Sequence, residues 1–444
     1  MQEEKLAGHA CVDLWVPILE GTPIPPRRRM LSPIQEAQTT KQALEWKSQG
    51  YTEIIPNPPY VNNLVLVAKK DGRIRVCVDA TPANDVTKDF DWPLPRLQDL
   101  RHFVKGAQWF LRIDLKDAFL RIRIPFKYRH LTAFHTGGIT YQFKRMIFGL
   151  KTAPSTFQRF MDWGLSEYIG WAFWYIDDIL IKASTKAELE ARVKTLRMRL
   201  VQMGCRVNEE KSTGPRSSLL FAGLWVMGKG IGPNLLKLKE ILAVPLPRTK
   251  ADAQSALGLV SYLRDFIPLV SHFTAMLYPD KQGFRLSAEE YESQWNALLR
   301  HLSHACSINH HWVEGTPADV YTDASLFGLG VLVLQEGRVV ALASRKLTGA
   351  ETRYSATDRE HLGLVYAAER FKVILHQSTS NVRVWSDHSA LLSRKSDGML
   401  PRQARWQELV KFWIPNLSHV KGKCNPADFI SRWRISEVGA EIRA

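Results

Sequence analysis

Two adjacent carboxylates, Asp177 and Asp178, sit between the apolar runs Ala172-Phe173-Trp174-Tyr175-Ile176 and Ile179-Leu180. Each flank reads as a short buried strand, which puts the pair at the tip of a hairpin. Ionised side chains there repel each other unless a divalent cation lies between them and a further carboxylate. Held that way, they could serve the transfer of a nucleotidyl group. An Asp-Asp turn is also ordinary turn chemistry, so the rest of the chain has to decide. Asp114, at the end of the strand pattern Phe110 to Leu115, is a candidate third ligand. If that strand lies beside the hairpin, the acids Asp114, Asp177 and Asp178 converge and could hold two magnesium ions about 3.5–4 Å apart. One ion would lower the pKa of a primer 3′-hydroxyl, and the other would clamp a triphosphate and steady the departing pyrophosphate.

A second acidic set, Asp323, Glu360, Asp387 and Asp428, lies downstream. Asp323 and Asp387 end strand patterns. Glu360 falls in the first turns of a helix capped at Ser355, and Asp428 follows Asn425-Pro426-Ala427. Four carboxylates from four elements could cradle two metals that activate water against a phosphodiester. Singly, each would read as a surface acid or a cap; their placement in one compact stretch is what points to a site.

The elements that must position these acids are legible in outline. Leu64–Val67 and Ile74–Val78 alternate around Asp71-Gly72, a hairpin turn signal, giving a two-stranded finger with basic residues near its tip. Such a tip could bind a triphosphate or simply protect an edge with lysines. Thr185-Lys186-Ala187-Glu188 reads as a capping box, followed by a stripe of Leu189, Val193, Leu196 and Leu200 that stops at Gly204. Thr249 opens another helix carrying Leu257, Val260 and Leu263. Residues 1–60 read as irregular and proline-rich, with Arg27-Arg28-Arg29 either touching backbone phosphate or forming a solvated tail. The pattern is α+β to about residue 230, helical to about 305, and α/β again after the turn-rich Glu314-Gly315-Thr316-Pro317.

The 444 residues leave room for two or more domains. Hydrophobic residues make up 45% and charged residues 23%, which argues against disorder. Sixty Lys and Arg against 44 Asp and Glu give a net charge of +16, and the natural partner for such an excess is a polyanion, most commonly nucleic acid. Cys11, Cys77, Cys205, Cys306 and Cys424 are scattered without zinc-finger spacing, so a reducing compartment and no structural zinc are expected. The N-terminus has no apolar signal core, and no apolar run would span a bilayer.

Taken together these segments resemble the reverse transcriptase–ribonuclease H region of gypsy-type LTR retrotransposon polyproteins, over roughly residues 30–435. Phe110 to Phe119 resembles the first catalytic motif, Met146 to Gln158 the motif that positions template and nucleotide, and Tyr175-Ile176-Asp177-Asp178 the catalytic hairpin. Tyr321 to Ser325, Tyr354 to Glu360, Trp385 to His388 and Asn425 to Asp428 resemble the gypsy-type ribonuclease H. The resemblance implies a multidomain α+β chain: a right-hand polymerase with fingers, ferredoxin-like palm and helical thumb, then an α/β ribonuclease H-like domain. Its implied limits are a lead-in at 1–30, fingers and palm at 31–240, thumb and connection at 241–312, nuclease at 313–435 and a tail at 436–444.

By the same resemblance all seven acids are metal ligands. Lys69 and Arg75 fall where the family binds the triphosphate, Phe119 takes the place of the aromatic gate that excludes a 2′-hydroxyl, and Gly149 lets the backbone approach the substrate. Gln158 and Lys211 belong to the same nucleotide-binding set. Trp225 lies in the segment that grips the primer end. Gln254, Gly258 and Tyr262, four apart on one helix face, are either a track along the duplex minor groove or a packed core stripe. Thr81 stands where an arginine is usual. The loop Lys421–Cys424 lacks the histidine of cellular relatives, with His419 lying before it.

The implied activity is copying RNA into DNA from dNTPs and a DNA or RNA primer, then degrading the RNA of the RNA–DNA hybrid. Mg²⁺, two ions per site, would serve it, with Mn²⁺ as substitute. No membrane partner is implied; a homodimer and other segments of a polyprotein are open as partners. The implied place is intracellular, in the cytoplasm, with virus-like particles and nuclear access open. Neither an Asp-Ser/Thr-Gly protease motif before residue 60 nor a zinc-binding integrase head after residue 435 is present, as in the polymerase–nuclease portion of a larger polyprotein or a stand-alone remnant of one. The rival readings are a domesticated, non-catalytic nucleic-acid-binding remnant and an RNA-copying RNA polymerase. Phe119 and the attached nuclease argue against the second.

Overall fold

A computed structural model of the chain describes residues 17–27, 29–68, 72, 74–90, 92–96, 99–268, 270–280, 283–304, 308–326, 328–372, 382–391, 401–411 and 416–420. The chain divides into two compact units: Met1–Arg96 with Gln108–Arg216, and Leu97–Ala107 with Ser217–Ala444.

In the first unit, residues 1–60 are not irregular throughout. Pro33–Ser48 is a helix, opened by a capping box between Ser32 and Gln35 and by Pro33 in its first turn. Few of its positions are buried, so no apolar stripe announced it; Thr39 anchors it through a 2.7 Å hydroxyl bond to Thr136. It packs on β1 (Thr52–Ile54) and β5 (Phe134–Thr136), which join β6 (Ile139–Phe143) in the order β1-β6-β5. The finger forms as expected, β2 (Leu64–Ala68) pairing antiparallel with β3 (Ile74–Val78).

The unit's main sheet has the order β7-β8-β4-β9, built from β4 (Trp109–Lys116), β7 (Ala172–Tyr175), β8 (Asp178–Ala183) and β9 (Arg206–Arg216). With the helices Ala153–Leu165 and Lys186–Gln202 between them, the succession is βαββαβ, and all pairs in this sheet are antiparallel. That is the ferredoxin-like arrangement. Phe157, Phe160, Leu189, Leu196 and Leu200 share one core with Ile113, Ile179 and Ile181, and this burial holds the helices to the sheet. At Thr185 the cap differs from a strict box. Thr185 Oγ1 accepts the Glu188 N–H, but the Glu188 carboxylate reaches one residue further back, to the Ser184 N–H.

In the second unit, β10 (Ser218–Phe221), β11 (Leu224–Met227), β12 (Gly230–Gly232) and β13 (Asn309–His310) form one sheet in that order. Helices Leu235–Leu242, Lys250–Tyr262 and Ala288–His304 follow β12. Thr249 and Asp252 make a full capping box, and Leu257, Val260 and Leu263 are buried as their spacing implies. The last sheet has the order β16-β15-β14-β17-β18, from β14 (Ala318–Ala324), β15 (Gly328–Gln335), β16 (Arg338–Lys346), β17 (Val382–Ser386) and β18 (Leu417–His419). β14 runs parallel to β17, and β17 to β18. Glu336-Gly337 turns β15 into β16 with both residues at positive φ (51° and 73°), as a two-residue hairpin needs. Helix Ala356–Arg370 packs on β14 and β15. Leu97–Ala107 also belongs to this unit, where the buried Arg101 guanidinium bonds the Val340 carbonyl. No described helix is long and apolar enough to cross a membrane.

Candidate functional site

Asp114 lies opposite Asp178 in the β4–β8 register. Ile176 and Asp177 form the two-residue turn between β7 and β8, because Tyr175 pairs with Asp178. The three acids anticipated from sequence are therefore brought to one end of the sheet. Ile176 has φ +56°, a left-handed conformation costly for a β-branched residue, and Asp117, just past β4, has φ +51°. Asn208 Nδ2 donates to Asp114 at 3.0 Å, and Ser212 Oγ accepts the Asp114 N–H at 3.3 Å, so β9 braces the first acid. Burial, and then the charge of Asp178, pushes the Asp177 carboxyl above its ordinary range. Burial pushes Asp178 up as well, although Arg112 pulls the other way.

Sequence reasoning overlooked Arg112. Its guanidinium meets Asp178 through Nε and Nη2 at 2.9 and 2.7 Å and lies 3.9 Å from Asp114. Strand alternation alone places residues 112 and 114 on one face, a signal that could have found it. A divalent cation suits this place: the donors are hard carboxylate oxygens, and a cationic group already stands among them.

The left-handed turn is tied from behind. Gln158 is 0% exposed. Its carboxamide oxygen accepts the Ile176 N–H at 2.8 Å, while its Nε2 donates to Asp162 at 2.8 Å. Asp162 also accepts the indole N–H groups of Trp174 and Trp92, each at 2.6 Å. Both ends of Gln158 are thus engaged inside the protein. Asp162 was likewise overlooked, although it stands four residues from Gln158 on one helix face.

The other anticipated nucleotide-side residues fall as follows. Arg75 lies over the Phe148 ring at 5.5 Å. Phe119 is buried edge-on against Phe148 and Phe157, at 4.8 and 5.5 Å between ring centres. Gly149 has φ +94°, and its carbonyl accepts from Asn84 Nδ2 at 2.7 Å. Lys211 is exposed on β9 and exerts a lowering charge effect on Asp177 and Asp178. Lys69 lies outside the described residues. Thr81 Oγ1 donates to Asp79 at 2.6 Å, and Arg29 brings its guanidinium to 3.9 Å from the same carboxylate. A guanidinium therefore stands beside Asp79, supplied by the lead-in segment.

In the second unit, β14 and β17 are parallel neighbours, so Asp323 and Asp387 meet at their C-terminal ends. Helix Ala356–Arg370, capped by Ser355 Oγ on the Asp358 N–H, lays Glu360 over them. Ligand atoms of Asp323, Glu360 and Asp387 lie within 4.8 Å of one another. Glu360 is 7% exposed, and its Oε2 has no hydrogen-bond partner among the described residues. Burial and the charges of Asp387 and Asp323 push its pKa up to about 8. An orphaned buried acceptor among like charges is what a metal ion would satisfy. Asp428 lies outside the described residues. His419 Nε2 stands 3.1 Å from the Asp387 carbonyl.

Gln254, Gly258 and Tyr262 lie on the exposed face of helix Lys250–Tyr262, whereas Ala253, Ala256, Leu257 and Val260 form its buried face. The packed-stripe alternative therefore does not hold. Tyr262 Oη donates to the Ala222 carbonyl at 3.2 Å, tying this helix to the β10–β11 turn. Trp225, on β11, packs beside Met227 and Ile308.

One chain thus joins a ferredoxin-like sheet with three acids at one end to a mixed sheet carrying an acid triad, an architecture of two units each with a carboxylate cluster suited to divalent cations. Residues 67–226 match the family described as reverse transcriptase (RNA-dependent DNA polymerase), and residues 314–412 match the RNase H-like domain found in reverse transcriptase. The chain therefore carries, in that order, a reverse transcriptase domain and an RNase H-like domain of the kind found in reverse transcriptases. It is 27% identical over 380 residues to the transposon Tf2-3 polyprotein of Schizosaccharomyces pombe, covering 83% of this chain and 28% of the relative. It is 28% identical over 437 residues to the retrovirus-related Pol polyprotein from transposon gypsy of Drosophila melanogaster, covering 89% and 42%. The chain thus spans less than half of either relative. Its fold is similar to the foamy viral protease-reverse transcriptase in complex with dsDNA (TM-score 0.73, 19% identity, 92% of this chain and 87% of that one). It is also similar to the same enzyme in complex with RNA/DNA hybrid (TM-score 0.72, 19% identity, 91% and 56%).

Proposed function

We propose that the chain is an RNA-directed DNA polymerase whose C-terminal domain is a ribonuclease H acting on the RNA of RNA–DNA hybrids. The observation that carries this reading is Asp114 standing opposite Asp178 in the β4–β8 register, with Asp177 in the adjoining turn. Fingers and palm would run over 31–240, thumb and connection over 241–312, and nuclease over 313–435.

At the palm, the three acids would hold divalent cations, and the turn fixed through Gln158 keeps two of those acids in place. Mg²⁺, or Mn²⁺ in its stead, would supply the positive charge that activates the primer hydroxyl and neutralises the triphosphate. Arg75, Lys69 and Lys211 attract the triphosphate. Phe119, backed by Phe148 and Phe157, stands as the gate under the sugar, and Gly149 leaves room for the substrate beside its backbone. Gln158 acts on the nucleotide through the turn, since its own amide is engaged. Trp225, Gln254, Gly258 and Tyr262 are offered to the primer and duplex.

At the nuclease site, Asp323, Glu360 and Asp387 would hold divalent cations that activate water against a phosphodiester, with Asp428 the fourth ligand that the family resemblance implies. The net charge of +16 suits RNA template, primer and hybrid alike. A second copy of the chain, or other segments of a polyprotein, would join it in a reducing intracellular setting.

Primer extension on an RNA template with dNTPs and Mg²⁺, with hybrid cleavage read in the same tube, tests the proposal. Extension and cleavage are the expected result. Folded protein that binds hybrid without turning it over would instead make the chain a nucleic-acid-binding remnant. Incorporation of NTPs in preference to dNTPs would overturn the choice of substrate.

A further inference from the structure

We propose that Arg112 is a built-in counter-ion of the palm acids, one that a divalent cation must displace from Asp178. The inference rests on the reading of Asp114, Asp177 and Asp178 as a cation site. Arg112 and Asp114 leave β4 on the same face, and Asp178 stands opposite Asp114. The guanidinium takes Asp178 as a fork: Nε and Nη2 donate to Oδ1 at 2.9 and 2.7 Å, and Nη2 to Oδ2 at 3.0 Å. Its Nη2 lies 3.9 Å from Asp114 Oδ2, so one cationic group spans the two acids that would share a metal. All three side chains are largely withdrawn from water, at 24%, 16% and 12% exposure for Arg112, Asp178 and Asp114.

Bidentate, charge-assisted bonds between such partly buried groups are among the strong ones. A metal bridging Asp114 and Asp178 needs carboxylate oxygens that the fork already holds. Mg²⁺ demands near-ideal octahedral geometry, and it would sit against a like charge if the guanidinium stayed. The arginine stem is long enough to swing the head out of the site without moving the strand. Arg112 therefore does two opposed things: it keeps the acids together when no metal is bound, and it weakens their hold on metal.

The test uses the full chain carrying Glu360→Gln and Asp387→Asn, so that the nuclease acids contribute little binding. Mn²⁺ binding is followed by the paramagnetic resonance of the free ion, and metal-free unfolding by calorimetry, in parent, Arg112→Met, Arg112→Gln and Lys211→Met proteins. Expected are Mn²⁺ binding several-fold tighter and a lower metal-free Tm in both Arg112 variants, with the Tm regained at saturating Mn²⁺. Lys211→Met, which removes an equal charge without touching the fork, should shift affinity much less. Equal affinity in parent and Arg112 variants overturns the inference. So does a shift in Lys211→Met as large as that in Arg112→Met, which would mark a diffuse charge effect. If no protein shows Mn²⁺ binding that Asp177→Asn removes, the cation-site reading beneath the inference fails instead.

Discussion

The side-chain oxygen of Gln158 accepts the backbone N–H of Ile176 at 2.8 Å, directly behind the Asp177–Asp178 pair. This bond holds an isoleucine at φ +56°, and Asp162 with its two indole donors holds the glutamine. Gln158→Ala leaves a partly buried N–H without its acceptor and lets the turn relax, at a cost of about 1–3 kcal/mol. Primer extension should fall through kcat more than through the KM for template, while hybrid cleavage by the same protein stays at the parent rate. Asp162→Asn should act in the same direction and more weakly, because a carbonyl oxygen remains to accept one indole. Loss of both activities in parallel would mark a merely structural role.

The two acid clusters should fail independently. Asp114→Asn or Asp177→Asn is expected to lower extension by orders of magnitude and spare cleavage, and Glu360→Gln to do the reverse. Assaying both reactions on one labelled hybrid checks this directly. Silent substitutions would remove the site assignment.

Glu360 should give metal-free protein a distinctive pH dependence. Its pKa rises from 4.5 to about 8 through burial first and then Asp387 and Asp323. The folded state thus binds the proton more tightly than the unfolded state. The stability tied to that proton is fully present below about pH 4.5 and is lost as pH rises through about 8. Thermal scans in a chelator should show Tm of the second unit falling across that window, and Glu360→Gln should flatten the fall. Added Mg²⁺ should restore Tm at the alkaline end, because the ion needs the deprotonated ligand.

Gly223 should accept a side chain only at a cost in stability. Its φ is +84°, and a Cβ there would stand 2.0 Å from the Tyr262 hydroxyl oxygen. Gly223→Ala is expected to destabilise by at least about 1 kcal/mol from the backbone alone. Tyr262→Phe loses the bond to the Ala222 carbonyl, at a cost of about 0.5–1.5 kcal/mol. Combining Gly223→Ala with Tyr262→Phe, which removes the clashing oxygen, should cost less than the sum of the two, as measured by urea unfolding.

Local rules read directly from the sequence carried much of this protein. The antiparallel pairing of β2 with β3 and the helix starts at Thr249 and Ser355 follow from patterns only a few residues long. So do the strand ends beside Asp323 and Asp387, whereas β4 runs on past Asp114 to Lys116. The helix Pro33–Ser48 escaped notice because its contacts are few and made by polar residues such as Thr39, which leave no apolar period. At Thr185 the residue types were right, but the carboxylate chose Ser184, a matter of side-chain geometry that spacing does not specify.

What the tertiary structure alone decided is which distant residues meet. Asp114 and Asp178, far apart in the chain, face each other because β4 pairs with β8, and shared burial of Ile113 with Ile179 and Ile181 selects that pairing. The same pairing sets Arg112 on Asp178, and the pairing of β4 with β9 on its other edge brings Asn208 to Asp114. Folding of helix Ala153–Leu165 into the core turned Gln158 from a residue of a nucleotide motif into a buried brace. The sequence by itself named the acids, since carboxylates at strand ends and turns are a local pattern. Their partners were settled by packing, because desolvated charges and backbone groups must find their complements wherever the fold brings them.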